Sequence, residues 1–166
     1  MDNVKKSLIK TVKYKWTLEE DFRLKLNFDD KILGKVRRSI AKKITLFVFS
    51  QYESKDGWLE VTSYDIRIKK GYSWDGCTPK YKISGFEFGV WDGFKSKITN
   101  KQQLYYASLV HDALCQFQKD TLLPVSRKEA DMIFYSLMKK EAFSFRCYYY
   151  IVVRIFSMIK NIFKRG

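Results

Sequence analysis

Proline is nearly missing, with two in 166 residues, and the eight glycines are dispersed. No Pro-, Gly- or Ser-rich stretch, low-complexity tract or internal repeat therefore marks a linker, and one domain spanning 1–166 is expected. Cysteine is sparse and odd in number: Cys77, Cys115 and Cys147 have neither disulfide-framework nor zinc-ligand spacing. That excludes a stapled secreted scaffold and predicts free thiols in a reducing compartment, each as a small buried hydrophobe. There is one histidine, so any imidazole chemistry falls to His111. Long apolar runs are also lacking. Residues 1–16 never reach the uninterrupted apolar core of a secretory signal, and Arg146, Arg154 and Lys160 interrupt the apolar stretch 143–163. Neither a signal peptide nor a transmembrane span is expected.

Acidic residues are the last shortage. Eighteen stand against 32 basic ones, a net charge of +14. Such a balance attracts phosphate polymers and anionic lipid headgroups. The bases are spread along the chain, near the start, over 35–43 and at the end, with no nucleic-acid reader motif beside them, and a generally basic surface is the expectation.

Patterning changes near Asn100, from β-type to helix-type. Ile44–Phe49 and Trp58–Ile68 are rich in β-branched and aromatic residues and flank Asp56-Gly57, predicting a hairpin. Alternating Phe22, Leu24, Leu26 and Phe28 predict a strand, and 81–90 a further extended piece that pairs nearby or covers the core. Residues 35–43 read either as a short helix or as a basic turn. Beyond Asn100, Leu104, Ala107, Ser108, His111, Leu114 and Cys115 trace one face of a helix over 101–117, turning His111 inward. Ser126 and Glu129 form a capping box for a second helix, with Ala130, Ile133, Phe134, Leu137 and Met138 facing a core. Residues 143–163 predict a terminal helix, packed on the core or a partner, or lying on a membrane surface with its bases snorkelling. The fold class that follows is α+β: an N-terminal antiparallel sheet of hairpins against a C-terminal bundle of about three helices.

Chemistry concentrates at Asp75, His111, Asp112 and Asp131. Consecutive helical residues diverge by about 100°, so His111 and Asp112 serve different partners. If the two helices pack antiparallel, Asp131 approaches His111 and can orient it as a general base, while Asp112 with loop carbonyls suits a hard cation such as calcium. The bland alternative is a His–Asp hydrogen bond that only stitches helices together. The loop 71–80, with Gly76, Thr78 and Pro79, follows a strand, where functional loops sit; its Tyr72 and Trp74 read equally well as core cover.

Four ordered segments carry a resemblance: 71–80 (GYSWDGCTPK), 107–114 (ASLVHDAL), 126–134 (SRKEADMIF, including Arg127) and 153–156 (VRIF, including Arg154). Together they resemble the domain of unknown function 1353 family over about 61–158, which leaves 1–60 as an N-terminal elaboration and 159–166 as a basic tail. The resemblance implies a protein of tailed bacteriophages or prophages, made in the host cytoplasm and carried in some cases into the virion. The His111–Asp112 helix followed by the Asp131 helix also resembles the catalytic helix pair of the phospholipase A2 superfamily. That similarity implies His111 as base, Asp131 as its orienter, and Asp112 with Asp75 and the backbone near Gly76 at a calcium site. Cys115 stands where that superfamily has a tyrosine, and its disulfides and glycine-rich calcium loop are missing here.

Three functions are therefore open. One is a cation-assisted lipid or ester hydrolase working at an anionic lipid surface. Another is a non-catalytic virion or assembly component docking on other phage proteins or packaged DNA, and the third an inhibitor of a host defence enzyme.

Overall fold

The computed structural model describes residues 14–47, 50–76, 81–83, 86–88, 92–97 and 99–163. Its elements are β1 (Trp16–Thr17), β2 (Phe22–Lys25), α1 (Lys31–Phe47), β3 (Gln51–Glu53), β4 (Leu59–Thr62), β5 (Asp65–Ile68), β6 (Ser73–Trp74), β7 (Tyr81–Ile83), β8 (Phe86–Phe88), α2 (Tyr105–Gln116), α3 (Arg127–Lys140) and α4 (Arg146–Phe163). This is the expected α+β architecture.

The main sheet is antiparallel in the order β2-β5-β4-β3, with β1-β6 and β7-β8 as separate two-stranded pairs. Its buried face comes from period-two alternation: Leu24, Tyr52, Leu59, Val61, Ile66 and Ile68 are all buried. The run 58–68 is not one strand but two. The Thr62 hydroxyl accepts from the amides of Tyr64 and Asp65 and turns the chain back between β4 and β5. The hairpin at Asp56-Gly57 forms, with Gly57 at φ +72°, but its first strand is β3. The extended piece 81–90 pairs with itself as β7 and β8.

Ile44–Phe49 departs from expectation. Its described part, as far as Phe47, is the last turn of α1, and 48–49 lie outside the described residues. Leu33, Val36, Ile40 and Ile44 are buried at helical spacing, and that burial overrides the β propensity of the Ile-Thr-Leu-Phe run. Asp30 caps the helix, accepting from the amides of Ile32 (2.8 Å) and Leu33 (3.1 Å). Its other oxygen accepts from Ser136 Oγ at 2.5 Å, which fixes the start of α1 to α3. The chain beyond β2 is no longer strand, so Phe28 is exposed instead of continuing the alternation.

α3 is the hub, packing against α1, α2 and α4. Its start is the predicted capping box: Ser126 Oγ accepts from the Glu129 amide, and Glu129 Oε2 accepts from the Ser126 amide at 2.6 Å. The same Glu129 oxygen takes Lys43 Nζ at 2.6 Å, adding a second tie to α1. α4 forms as expected, and no helix among the described residues is long and apolar enough to cross a membrane. Cys147 is exposed in the first turn of α4 and Cys115 half-buried on α2, so neither is the buried hydrophobe expected; Cys77 lies outside the described residues.

Ser126→Ala removes one half of the capping box and frees the other. It should cost about 1 kcal/mol of stability in urea unfolding, with an unchanged m-value.

Candidate functional site

Trp74 locates the site. Its indole, buried and edge-on to Tyr105 at 4.9 Å, donates from Nε1 to Ser108 Oγ at 3.1 Å, pinning β6 to α2. The next residue, Asp75, consequently faces the outer side of α2, where its Oδ1 accepts from the Lys15 amide at 3.2 Å. Gly76 is required for packing: at φ +77°, a Cβ there would lie 2.6 Å from the Trp16 ring and 2.8 Å from Asp92 Oδ1. Its glycine is thus accounted for without a cation. Thr78 and Pro79 lie outside the described residues.

On the inner side of α2, His111 packs against Phe134 at 4.9 Å and places Nε2 2.9 Å from Asp131 Oδ1. Asp131 is 0% exposed. Oδ1 also takes Arg127 Nε at 3.3 Å, one helical turn earlier, while Oδ2 accepts from Arg154 Nη1 at 3.0 Å and Ser157 Oγ at 3.1 Å. Arg127 Nε donates in turn to Ser157 Oγ at 3.0 Å. One carboxylate thus binds donors from α2, α3 and α4. Sequence alone does not single out Ser157, although it lies three residues after Arg154 and so on the same side of α4.

The other imidazole nitrogen, Nδ1, lies 3.9 Å from Asp112 Oδ1, beyond direct hydrogen bonding. An ionised Asp131 held by two guanidinium groups can only accept, so Nε2 carries a proton whether His111 is charged or neutral, and Nδ1 is the nitrogen that gains or loses one as it titrates. Cys115 Sγ lies 3.6 Å from Nε2. Asp112 and Cys115 line a cleft of about 270 Å³ with Asp75, Tyr72 and Arg127. The imidazole stands behind this wall, its side chain 9% exposed.

Electrostatics divide the two sides of α2. Burial works against charge on both members of the inner pair, yet the pair stays ionised. For His111, Asp112 and Asp131 outweigh burial and hold it well above its ordinary 6.5. For Asp131, the His111 imidazole and Arg154 outweigh burial and hold its carboxyl below the usual carboxylate range. On the outer side, burial and then the charge of Asp75 push Asp112 up, against the pull of His111. Burial, aided by the nearby Asp112, raises the Tyr72 phenol as well.

Two carboxylates on one cleft are the beginning of a cation site. Among the described residues no group of three His, Cys, Asp or Glu side chains converges on one point, so the remaining ligands of a hard cation would be carbonyls and water. A cation would relieve the repulsion between Asp75 and Asp112, and the hard cation that such oxygen donors would suit is calcium, with Arg127 on the same cleft opposing it.

The family described as "Protein of unknown function (DUF1353)" matches residues 90–152, which takes in α2, α3 and the first part of α4. The match is narrower than the 61–158 expected from the four segments, and 71–80 and 153–156 lie outside it. No curated protein and no solved structure matches the chain.

Asp131→Ala would leave a buried imidazole and two guanidinium groups around an uncompensated gap. A loss of about 3–5 kcal/mol is expected in denaturant unfolding. The pH dependence has a definite sign. Because His111 titrates higher folded than unfolded, its contribution is complete below about pH 6.5 and is lost as the pH rises through the folded value. The stability advantage of the native chain over His111→Gln should therefore shrink as melts are repeated from pH 6.5 into the alkaline range.

Proposed function

We propose that the chain is a hydrolase of lipid or other ester substrates, with His111 as general base and Asp131 as the residue that positions it. One observation carries this: Asp131 fixes Nε2 at 2.9 Å and leaves Nδ1 directed towards Asp112, which borders the cleft. A purely structural histidine gains nothing from that division of its two nitrogens. In the step proposed, His111 acts in its neutral form, so turnover should rise with pH as the imidazolium loses its Nδ1 proton: Nδ1 then takes a proton from water, the resulting hydroxide attacks the ester carbonyl, and the proton returns through His111 to the departing alkoxide. Asp131 stabilises the transient imidazolium through Nε2–H, and Arg127, Arg154 and Ser157 keep the carboxylate from turning. A calcium ion held by Asp112 and Asp75 would supply polarisation of the carbonyl.

α4 supports a lipid substrate. Its inner face supplies Arg154 and Ser157 to Asp131, while Tyr148, Ile151, Ile155, Met158 and Ile159 are exposed on its outer face. A stripe of that kind on an otherwise basic protein suits the boundary of an anionic bilayer. A role in penetration of the host envelope or in lysis would fit the phage or prophage origin that the four-segment resemblance implies.

A second reading has its own support: all four partners of Asp131 make it a complete cross-link of α2, α3 and α4, as a non-catalytic virion or assembly component needs. Release of fatty acid from phosphatidylglycerol vesicles in the presence of calcium separates the two. The hydrolase reading expects turnover, its loss by a factor of about 10²–10⁴ in His111→Gln with the fold retained, and a melting temperature that rises with calcium only while Asp112 is present. A folded chain that hydrolyses neither phospholipid nor simple esters with calcium, magnesium or zinc would leave the cross-link alone standing.

A further inference from the structure

We infer that the exposed face of α1 is a docking surface for the phosphate backbone of duplex nucleic acid. This site is separate from the cleft at Asp112 and does not depend on His111 turning over a substrate.

Lys31, Lys35, Arg38 and Lys42 stand at i, i+4, i+7 and i+11 of α1, so they fall on one face, and all four are exposed. Leu33, Val36, Ile40 and Ile44 occupy the opposite, buried face. The helix contains no acidic residue. Among the described residues none of the four is ion-paired, whereas neighbouring Lys43 is taken by Glu129. Arg37 lies on another flank of the helix, about 120° from Lys31, where it is held against the exposed rings of Phe28 (4.1 Å) and Tyr64 (4.6 Å), and it is not part of the row. The cations rise along about 16 Å of helix. At the Lys31 end the line meets a groove of about 1100 Å³ of mixed charge, lined by Lys25, Lys139 and Lys140 but also by Asp29, Asp30 and Glu141, so the docking surface is the row on α1 itself.

The chemistry selects a polyanion presented as a line. Duplex DNA carries one charge per about 1.7 Å of axis, and a straight row of cations lies along it. A bilayer is a poorer fit for this face, because Leu33, Val36, Ile40 and Ile44 are turned into the core and leave exposed Leu46, near the end of α1, as the apolar contact beside the row. Base-reading side chains are missing from the stripe, so binding should be indifferent to sequence.

The test is the salt dependence of binding by the full chain to a labelled duplex of about 20 bp, between about 50 and 200 mM salt. Replacing the stripe with Lys31→Gln, Lys35→Gln, Arg38→Gln and Lys42→Gln should lower the slope of log K against log salt by about 3.6, or about 0.9 for each phosphate no longer neutralised. A control with Lys55→Gln, Lys95→Gln, Lys97→Gln and Lys119→Gln removes the same charge elsewhere and should keep the native slope. If the quadruple stripe variant loses its helical circular dichroism, the single variants Lys35→Gln and Arg38→Gln should each lower the slope by about 0.9. Equal losses of slope in stripe and control variants, absence of duplex binding, or capture of the native chain by phosphatidylglycerol vesicles but not by the duplex would each overturn the inference.

Discussion

The Asp131 carboxylate is the constraint on which the arrangement turns. A carboxylate removed from water costs several kcal/mol unless its lone pairs are satisfied by well-placed donors. Here they are met by His111 on α2 and by Arg154 and Ser157 on α4, with the Arg127 guanidinium of α3 ion-paired beside them at 3.3 Å. Sliding any one of these helices by a turn would strand the charge. The apolar surfaces of α2, α3 and α4 supply the drive to associate but are non-directional, and the carboxylate supplies the register that they lack.

The same tie sets the electrostatics of the cleft. With two guanidinium groups and an imidazole gathered around one carboxylate, positive charge is concentrated on the inner side of α2. The cleft on the outer side carries Asp112 and Asp75, brought together because Trp74 fastens β6 to Ser108, with Arg127 reaching its wall. His111 is the group that meets both sides, which is why it is charged despite its burial. An imidazole between a fully buried anion and one that lines the cleft can respond to what enters the cleft. A neutral amide would serve a merely structural cross-link as well.

Legibility in the sequence follows the strength of local signals. The His111–Asp131 contact can be anticipated because α2 has clean apolar periodicity, Ser126 and Glu129 mark the start of α3, and Asp131 lies in its first turns. α1 reads as a short helix or basic turn followed by a strand because β-branched and aromatic residues crowd its last turn, and the burial that overrides their preference is a tertiary effect. Its N-cap, Asp30, is not among the residues that the sequence singles out, and nothing local says that Asp30 will also receive Ser136 from 106 residues away. The role of Ser157 is equally hidden, since a serine on an amphipathic helix becomes informative only once the opposite wall carries a buried charge. The doubling of 58–68 into β4 and β5 turns on a single hydroxyl, that of Thr62, within a run whose composition suits an unbroken strand.

Helix formation in α1 also changes what the charge of the chain means. In linear order the bases over 31–43 look evenly strewn, and a strand would have divided them between two faces. The 3.6-residue period instead collects those at 31, 35, 38 and 42 into one row, because the burial of Leu33, Val36, Ile40 and Ile44 fixes the rotation of the helix about its axis. The apolar core thereby dictates the position of the charges. α4 is oriented by a different force, the pull of Asp131 on Arg154 and Ser157, and that pull turns its remaining apolar residues outwards. Both helices pack on α3, one held chiefly by apolar burial and the other by a buried charge, and each consequently shows solvent the opposite kind of face.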